Sequence, residues 1–391
     1  MTLCGATRLF GAVAILAFSA LFAQAAPFMI IGNDEKFIYD EAGKVVLSPA
    51  GKDSVSIVDL ANPENPKIVA NLALKNSVLG PPMNLDIDPT GSVALVADAV
   101  DVTKDGDALK IVPDNKVYVI DLKANPPKLA ATVTVGKQPS GLSFNAAGNL
   151  ALVTNRADGT ISVLSVRGTD VKVLDTVALG DSVTHVAFTP DGKRAIAAKY
   201  TTHKVSLLDV AGDKVTYTKL DLPTGQWPYN VAVAPSGKIA LTADIGGGGR
   251  SDGSMDTVTV IDLEASPPRT IDYVSVGETP EGLAIGPKGN IAVALIQRGS
   301  DADHKAYFYH HKNGAVAVLR IDGKKVTKIQ EIEVGGIPEA AMFTPDGKYL
   351  YVTNYTDQDV SILKVDGTKV TNTGKRFKVP GHPGSGRMSP R

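Results

Sequence analysis

Along most of the chain, short apolar runs alternate with polar turns that end in glycine. The turns read DEAG (Gly43), DPTG (Gly91), NAAG (Gly148), TPDG (Gly192), APSG (Gly237), GPKG (Gly289) and TPDG (Gly347), at spacings of 48, 57, 44, 45, 52 and 58 residues. Runs this short, bounded by turn residues, predict strands rather than helices. Glycine belongs at such turns because they require positive φ. A strand follows each glycine, such as KVVLS, SVALVA, KRAIAA or KYLYVT. A second follows, such as KVYVIDL or DVSILKV, then a third, such as RTIDYVSVG. A fourth leads into the next turn, as in VAFTPDG. Four strands per unit and seven units predict an all-β protein, a seven-bladed β-propeller of four-stranded antiparallel blades.

The junctions between units repeat as well. Nine residues before the glycine stand Pro82, Pro139, Pro228, Pro280 and Pro338, with Val183 in the remaining internal position. Pro383 in the tail KVPGHPGSG is a further equivalent, so the C-terminus is expected to return to the first blade. The spacing does not decide how the ring is latched; FMIIG (Phe28–Gly32) is one candidate, as an edge strand added to the last blade. YVTN at Tyr351–Asn354, LVTN at Leu152–Asn155, the TPDG turns and the VG-x-x-P junctions resemble the YVTN family of propeller repeats. That resemblance implies an exported bacterial protein, in a family where many members have no assigned activity.

Composition adds exclusions. Hydrophobic residues make up 43% of the chain, ample for a large core, and 40 Lys+Arg stand against 41 Asp+Glu. There is no basic excess of the kind a nucleic-acid surface shows. Residues 1–25 read as a cleavable signal peptide: Arg8, an apolar run from Leu9 to Phe22, then Ala23-Gln24-Ala25. The expectation is a propeller over 26–391 in the periplasm or secreted, with no membrane span in the mature chain. Cys4, the only cysteine, lies in the leader, so the mature chain has no disulfide, thiolate metal site or c-type haem attachment. A single tryptophan, Trp227, excludes the repeated docking motifs of quinone-dependent propellers.

Strand direction assigns the loops to faces. The innermost strand of each blade runs towards its glycine turn, so the blade junctions and the loops after the next strand share the opposite, upper face. The long loops Asp98–Asn115, Asp244–Asp256 and Ile296–Gly314 all fall there. Long loops on a rigid scaffold concentrate binding residues. Where the chain begins each innermost strand, Glu281, Glu339 and Tyr229 are expected to ring the channel mouth, with His185, Asn230 and Trp227 beside them. Two carboxylates and an imidazole there suit acid–base chemistry or a divalent cation. Arg156 and Lys199 are expected to place positive charge across the funnel, and Arg298, His304 and His310 to reach it from the blade-6 loop, read as a surface aromatic hairpin. Asn and Asp seven residues after each glycine are expected to bond their own turns. DVTKDGD (Asp101–Asp107) resembles the start of a calcium loop, although Val112 replaces the acid that such a loop needs.

No H-E-x-x-H or phosphate-cradling loop is present. The primary expectation is therefore a non-enzymatic scaffold presenting its upper face to a small ligand, peptide or protein, without an evident cofactor. The alternative is a lactonase- or cyclase-like hydrolase or isomerase acting at the channel mouth, with Glu281 or Glu339 as base. No motif matches such enzymes residue by residue.

Overall fold

The structure is a computed structural model that describes residues 1, 27–40, 43–77, 79–80 and 83–390. The leader expectation and Pro82 lie outside these residues. Seven four-stranded antiparallel sheets are arranged as blades around a channel. Blade 3 is representative: Pro139–Phe144 lines the channel, followed outward by Leu150–Asn155, Thr160–Arg167 and Asp170–Ala178. Leu150–Asn155 is buried along its whole length because neighbouring blades cover both faces. Asp170–Ala178 is exposed at most positions because it faces solvent. The core is accordingly a series of apolar layers between adjacent blades.

Blade 1 differs from the sequence expectation. Its strands are His382–Met388, Phe28–Asp34, Ser54–Asp59 and Lys67–Leu72, so the two ends of the chain close the ring within one blade. FMIIG is the second strand of this first blade, not an edge strand of the last. Met29, Ile30 and Ile31 are fully buried there, whereas Val46 of KVVLS is 46% exposed and does not suit a strand covered on both faces. The Ser389 N–H donates to the Phe28 carbonyl at 2.8 Å and the Phe28 N–H to Ser389 Oγ at 3.0 Å, which seals the closure.

The displaced segment forms a separate hairpin, Phe37–Tyr39 paired with Val45–Leu47, turned at Gly43. It is a fourth insertion on the upper face. Phe37 packs with Ala99 and Val100 of blade 2. Tyr355 of blade 7 donates its hydroxyl to the Phe37 carbonyl at 2.6 Å. A Cβ at Gly43 would lie 2.5 Å from the Ala302 carbonyl oxygen of blade 6. The hairpin therefore crosses the upper mouth.

Two loop readings change. Asp98–Asn115 is largely strand: Val93–Asp105 and Ala108–Asp121 form a protruding hairpin. Asp101 pairs with Lys75 and Gly106 turns the hairpin, so DVTKDGD is no calcium loop. Between Ile296 and Ala315 the blade-6 loop is a succession of turns without a strand, rather than an aromatic hairpin.

Candidate active site at the upper channel mouth

Pro280 and Pro338 start the innermost strands of blades 6 and 7, and the residue after each is a glutamate. Thr279 and Ile337, just before these prolines, hold φ of 47° and 49°, as Trp227 before Pro228 holds 57°. This repeated corner delivers each following side chain to the mouth at the same height. Glu281 and Glu339 meet there through their carboxyl groups. Glu339 is 3% exposed, while Glu281 keeps some contact with the channel although protein surrounds it on every side.

The environment separates the two acids. Burial first, and then the Asp301 carboxyl, raise Glu281, which stands at about 8. Hydrogen bonding from Glu339, the Gln297 amide and the Arg156 charge work in the opposite direction. Glu339 stands well above the ordinary carboxyl range, first through burial, then through the charge of Glu281 and its own bond to that group. Such a pair titrates as a unit, and its first ionisation leaves one carboxylate accepting a proton-bearing bond from the other. Tyr39, from the roofing hairpin, is held above its usual range by burial and by both glutamates, which places it over the pair.

One flank is aromatic. The Arg156 guanidinium lies 4.5 Å from the Tyr200 ring centre and 5.7 Å from that of Tyr229. Trp227 packs on Tyr200 at 4.7 Å between centroids. A Cβ at Gly249 would stand 3.2 Å from the Tyr200 hydroxyl and 3.4 Å from Trp227, so the blade-5 loop covers these rings. Asp301 takes a hydrogen bond from the Ser251 N–H at 2.9 Å, tying the blade-5 and blade-6 loops together. Gln297 is fully buried, and among the described residues neither of its amide atoms makes a hydrogen bond of ordinary geometry. A second charged cluster lies on the blade-1 and blade-2 side of the same face. Lys36, fully buried, meets Asp53 and the Asn76 carbonyl. Asp98, also fully buried, has no hydrogen-bond partner on either carboxylate oxygen among the described residues, and burial lifts it to about 8 despite Lys36.

The predicted residues divide three ways. Glu281, Glu339, Tyr229, Trp227 and Arg156 come together at the mouth. His185 and Asn230 line the channel below, towards the turns. Lys199, Arg298, His304 and His310 do not join the funnel. Lys199 turns into its own blade, bonding Tyr217 at 3.2 Å and Asp221 at 3.1 Å. Arg298 pairs with Glu333 at 3.0 Å, the His304 ring lies tilted against Tyr307 at 5.4 Å between centroids, and His310 Nδ1 lies 3.0 Å from the Gly299 carbonyl oxygen. These side chains have local partners that a position count does not reveal. Sequence reasoning missed Tyr39 and Lys36 because it placed KVVLS in a blade. It missed Gln297 and Asp301 because the long loop hid two polar residues that fold inward. Asn155 and Asn354 bond across their own turns as expected, and the blade-1 equivalent is Asn33 rather than Ala50. Among the described residues no group of three or more His, Cys, Asp or Glu side chains is placed to hold a metal ion.

A sequence model of the family described as lactonase, seven-bladed β-propeller, matches residues 112–226 and 300–383, together half of the chain. The chain belongs to this family. Membership in a family of lactonases overturns the expectation of a non-enzymatic scaffold and favours the alternative, a hydrolase of the lactonase kind. No curated protein matches the sequence. Among solved structures, a candidate 6-phosphogluconolactonase of Bacteroides fragilis is 17% identical with a TM-score of 0.70, over 94% of this chain and 99% of that one. The periplasmic gluconolactonase of Pseudomonas aeruginosa is 16% identical with a TM-score of 0.66, over 93% and 99%. The hydrazine synthase of Kuenenia stuttgartiensis is 18% identical with a TM-score of 0.62, over 81% and 92%. At these identities the likeness shows the fold, which serves unrelated chemistries.

Proposed function

We propose that this family member hydrolyses an uncharged sugar lactone at the upper channel mouth, with Glu281 and Glu339 as its acid–base pair. The carrying observation is the pair itself: two buried carboxyl groups in contact, with affinities for the proton driven apart by their surroundings. In the singly ionised pair Glu281 is the base. It takes a proton from water as the water oxygen bonds to the lactone carbonyl carbon. Glu339 then gives its proton to the ring oxygen as the acyl carbon–oxygen bond breaks, and the hydroxy acid leaves. The pair ends with one proton, as it began. The charge of Arg156 acts on Glu281, and its guanidinium suits the developing oxyanion.

The charge balance of the mouth favours an unphosphorylated substrate. Glu281, Glu339 and Asp301 face chiefly Arg156 and Arg250, and a phosphate would need a basic cradle. Both gluconolactone-type activities in the names of the structural relatives fit the reaction, and the acidic mouth selects the neutral one. The leader over 1–25 would place the reaction outside the cytoplasm, and the YVTN resemblance supports that placement. Glucono-δ-lactone turnover, corrected for spontaneous hydrolysis, tests the proposal. Glu281→Gln should lower kcat/KM by about 10²–10⁴. Turnover unchanged in that variant would exclude the pair as the catalytic centre.

A further inference from the structure

The lower half of the channel holds a cavity of about 600 Å³, separate from the mouth residues and open towards the glycine turns. Its walls are Phe144, Phe188, Phe343 and a rim of turn prolines such as Pro190 and Pro235. Among the described residues, the charged side chains lining it are Asp86 and Arg387. Asp86 is fully engaged: Oδ1 accepts from Arg387 Nε at 2.6 Å and from the Ile87 N–H, and Oδ2 accepts from the Phe144 N–H at 2.9 Å. Among the described residues the outer edge of the guanidinium is not, since Nη1 has only the Met83 sulfur at 4.0 Å.

Two further groups line the inner end. His185 is 3% exposed, and its Nδ1 accepts from the Val231 N–H at 3.2 Å. The neutral ring then carries its proton on Nε2, which has no hydrogen-bond partner of ordinary geometry among the described residues. Burial, then the charge of Arg387, lower the imidazole to about 3, against the opposing pull of the Val231 backbone, the Asn230 side chain and the Leu142 backbone, so the ring is neutral. Asn230 is 1% exposed and lies beside the imidazole, and among the described residues neither of its amide atoms makes a hydrogen bond of ordinary geometry. Buried polar groups without partners are rare and costly, and a ligand is a ready explanation for several at one place. Gly141 makes room for this ring, since a Cβ there would fall 2.5 Å from His185 Cδ2.

We propose that this cavity is a second small-molecule site, for an organic monocarboxylate with an apolar body. The carboxylate would take the outer guanidinium edge of Arg387, the His185 Nε2–H and the Asn230 Nδ2–H, while the body lies among the three phenylalanines. The proposal does not depend on the lactonase reading, and no mouth residue enters it.

Calorimetric titration of the protein with benzoate, and with benzamide as its neutral isostere, tests it. Benzoate is expected to bind at least about tenfold tighter than benzamide. Arg387→Met should erase that preference, whereas Glu281→Gln should leave benzoate affinity unchanged. If Arg387→Met does not fold, Asn230→Leu keeps the Arg387–Asp86 pair and should weaken benzoate binding. Absence of benzoate binding, equal affinity for benzamide, or loss of binding in Glu281→Gln with retention in Arg387→Met would each overturn the proposal.

Discussion

Glu281→Gln should make the protein more stable than the parent at alkaline pH while disabling the mouth. The Glu281 carboxyl moves from 4.5 to about 8 on folding. Between those values the native state keeps a proton that the unfolded chain has released, so raising the pH through this window favours unfolding. The contribution is fully present below the unfolded value and lost as pH climbs through the folded one. At about 1.4 kcal/mol per unit, the whole difference is worth roughly 5 kcal/mol, and about 4 kcal/mol of it is lost between pH 5 and pH 8.5. Glutamine copies the shape of the protonated acid and cannot ionise, so the variant escapes this loss. Asp98 and Asp244, raised by burial to about 8 and about 7, titrate in both proteins and cancel in the comparison. Urea unfolding of both proteins at pH 5, 7 and 8.5 measures the effect. The two stabilities should be similar at pH 5 and diverge by several kcal/mol at pH 8.5, with unchanged urea dependence. Profiles parallel within about 1 kcal/mol would show that Glu281 is not held as an acid in the folded protein.

In the same pair, kcat/KM for the lactone should rise with pH through an apparent value near 8 as Glu281 ionises; a profile flat from pH 6 to 9 would argue against that assignment. Arg156 favours the charged form of Glu281, so Arg156→Gln should displace the same rise to higher pH as well as lowering kcat. Tyr355→Phe removes the 2.6 Å bond to the Phe37 carbonyl; it should cost about 1 kcal/mol and increase proteolysis within the roofing hairpin ahead of global unfolding. Asn354→Ala deletes bonds with Gly335, Asp359 and Ser361; urea denaturation should show a loss of about 2–4 kcal/mol.

Repetition made the fold legible in the one-dimensional pattern. Each blade is a local unit of consecutive strands, so the order of turns and apolar runs already specifies six blades, their faces and the height at which Glu281 and Glu339 stand. The offset from a glycine to the mouth is a backbone distance, which sequence spacing encodes directly. Tertiary structure alone decided whatever depends on pairing between remote segments. Blade 1 joins residues 28–34 to 382–388, and the competition between FMIIG and KVVLS for that place turns on burial across both faces, which a short run read in isolation does not display. Side-chain direction was equally out of reach: Lys199 and Asp98 occupy equivalent places after their glycines, yet one finds Asp221 within its blade and the other is left unpaired beside Lys36. A spacing locates Cα atoms along a strand; which partner a long charged side chain finds is a matter of the neighbouring blades, and those are set only when the ring closes.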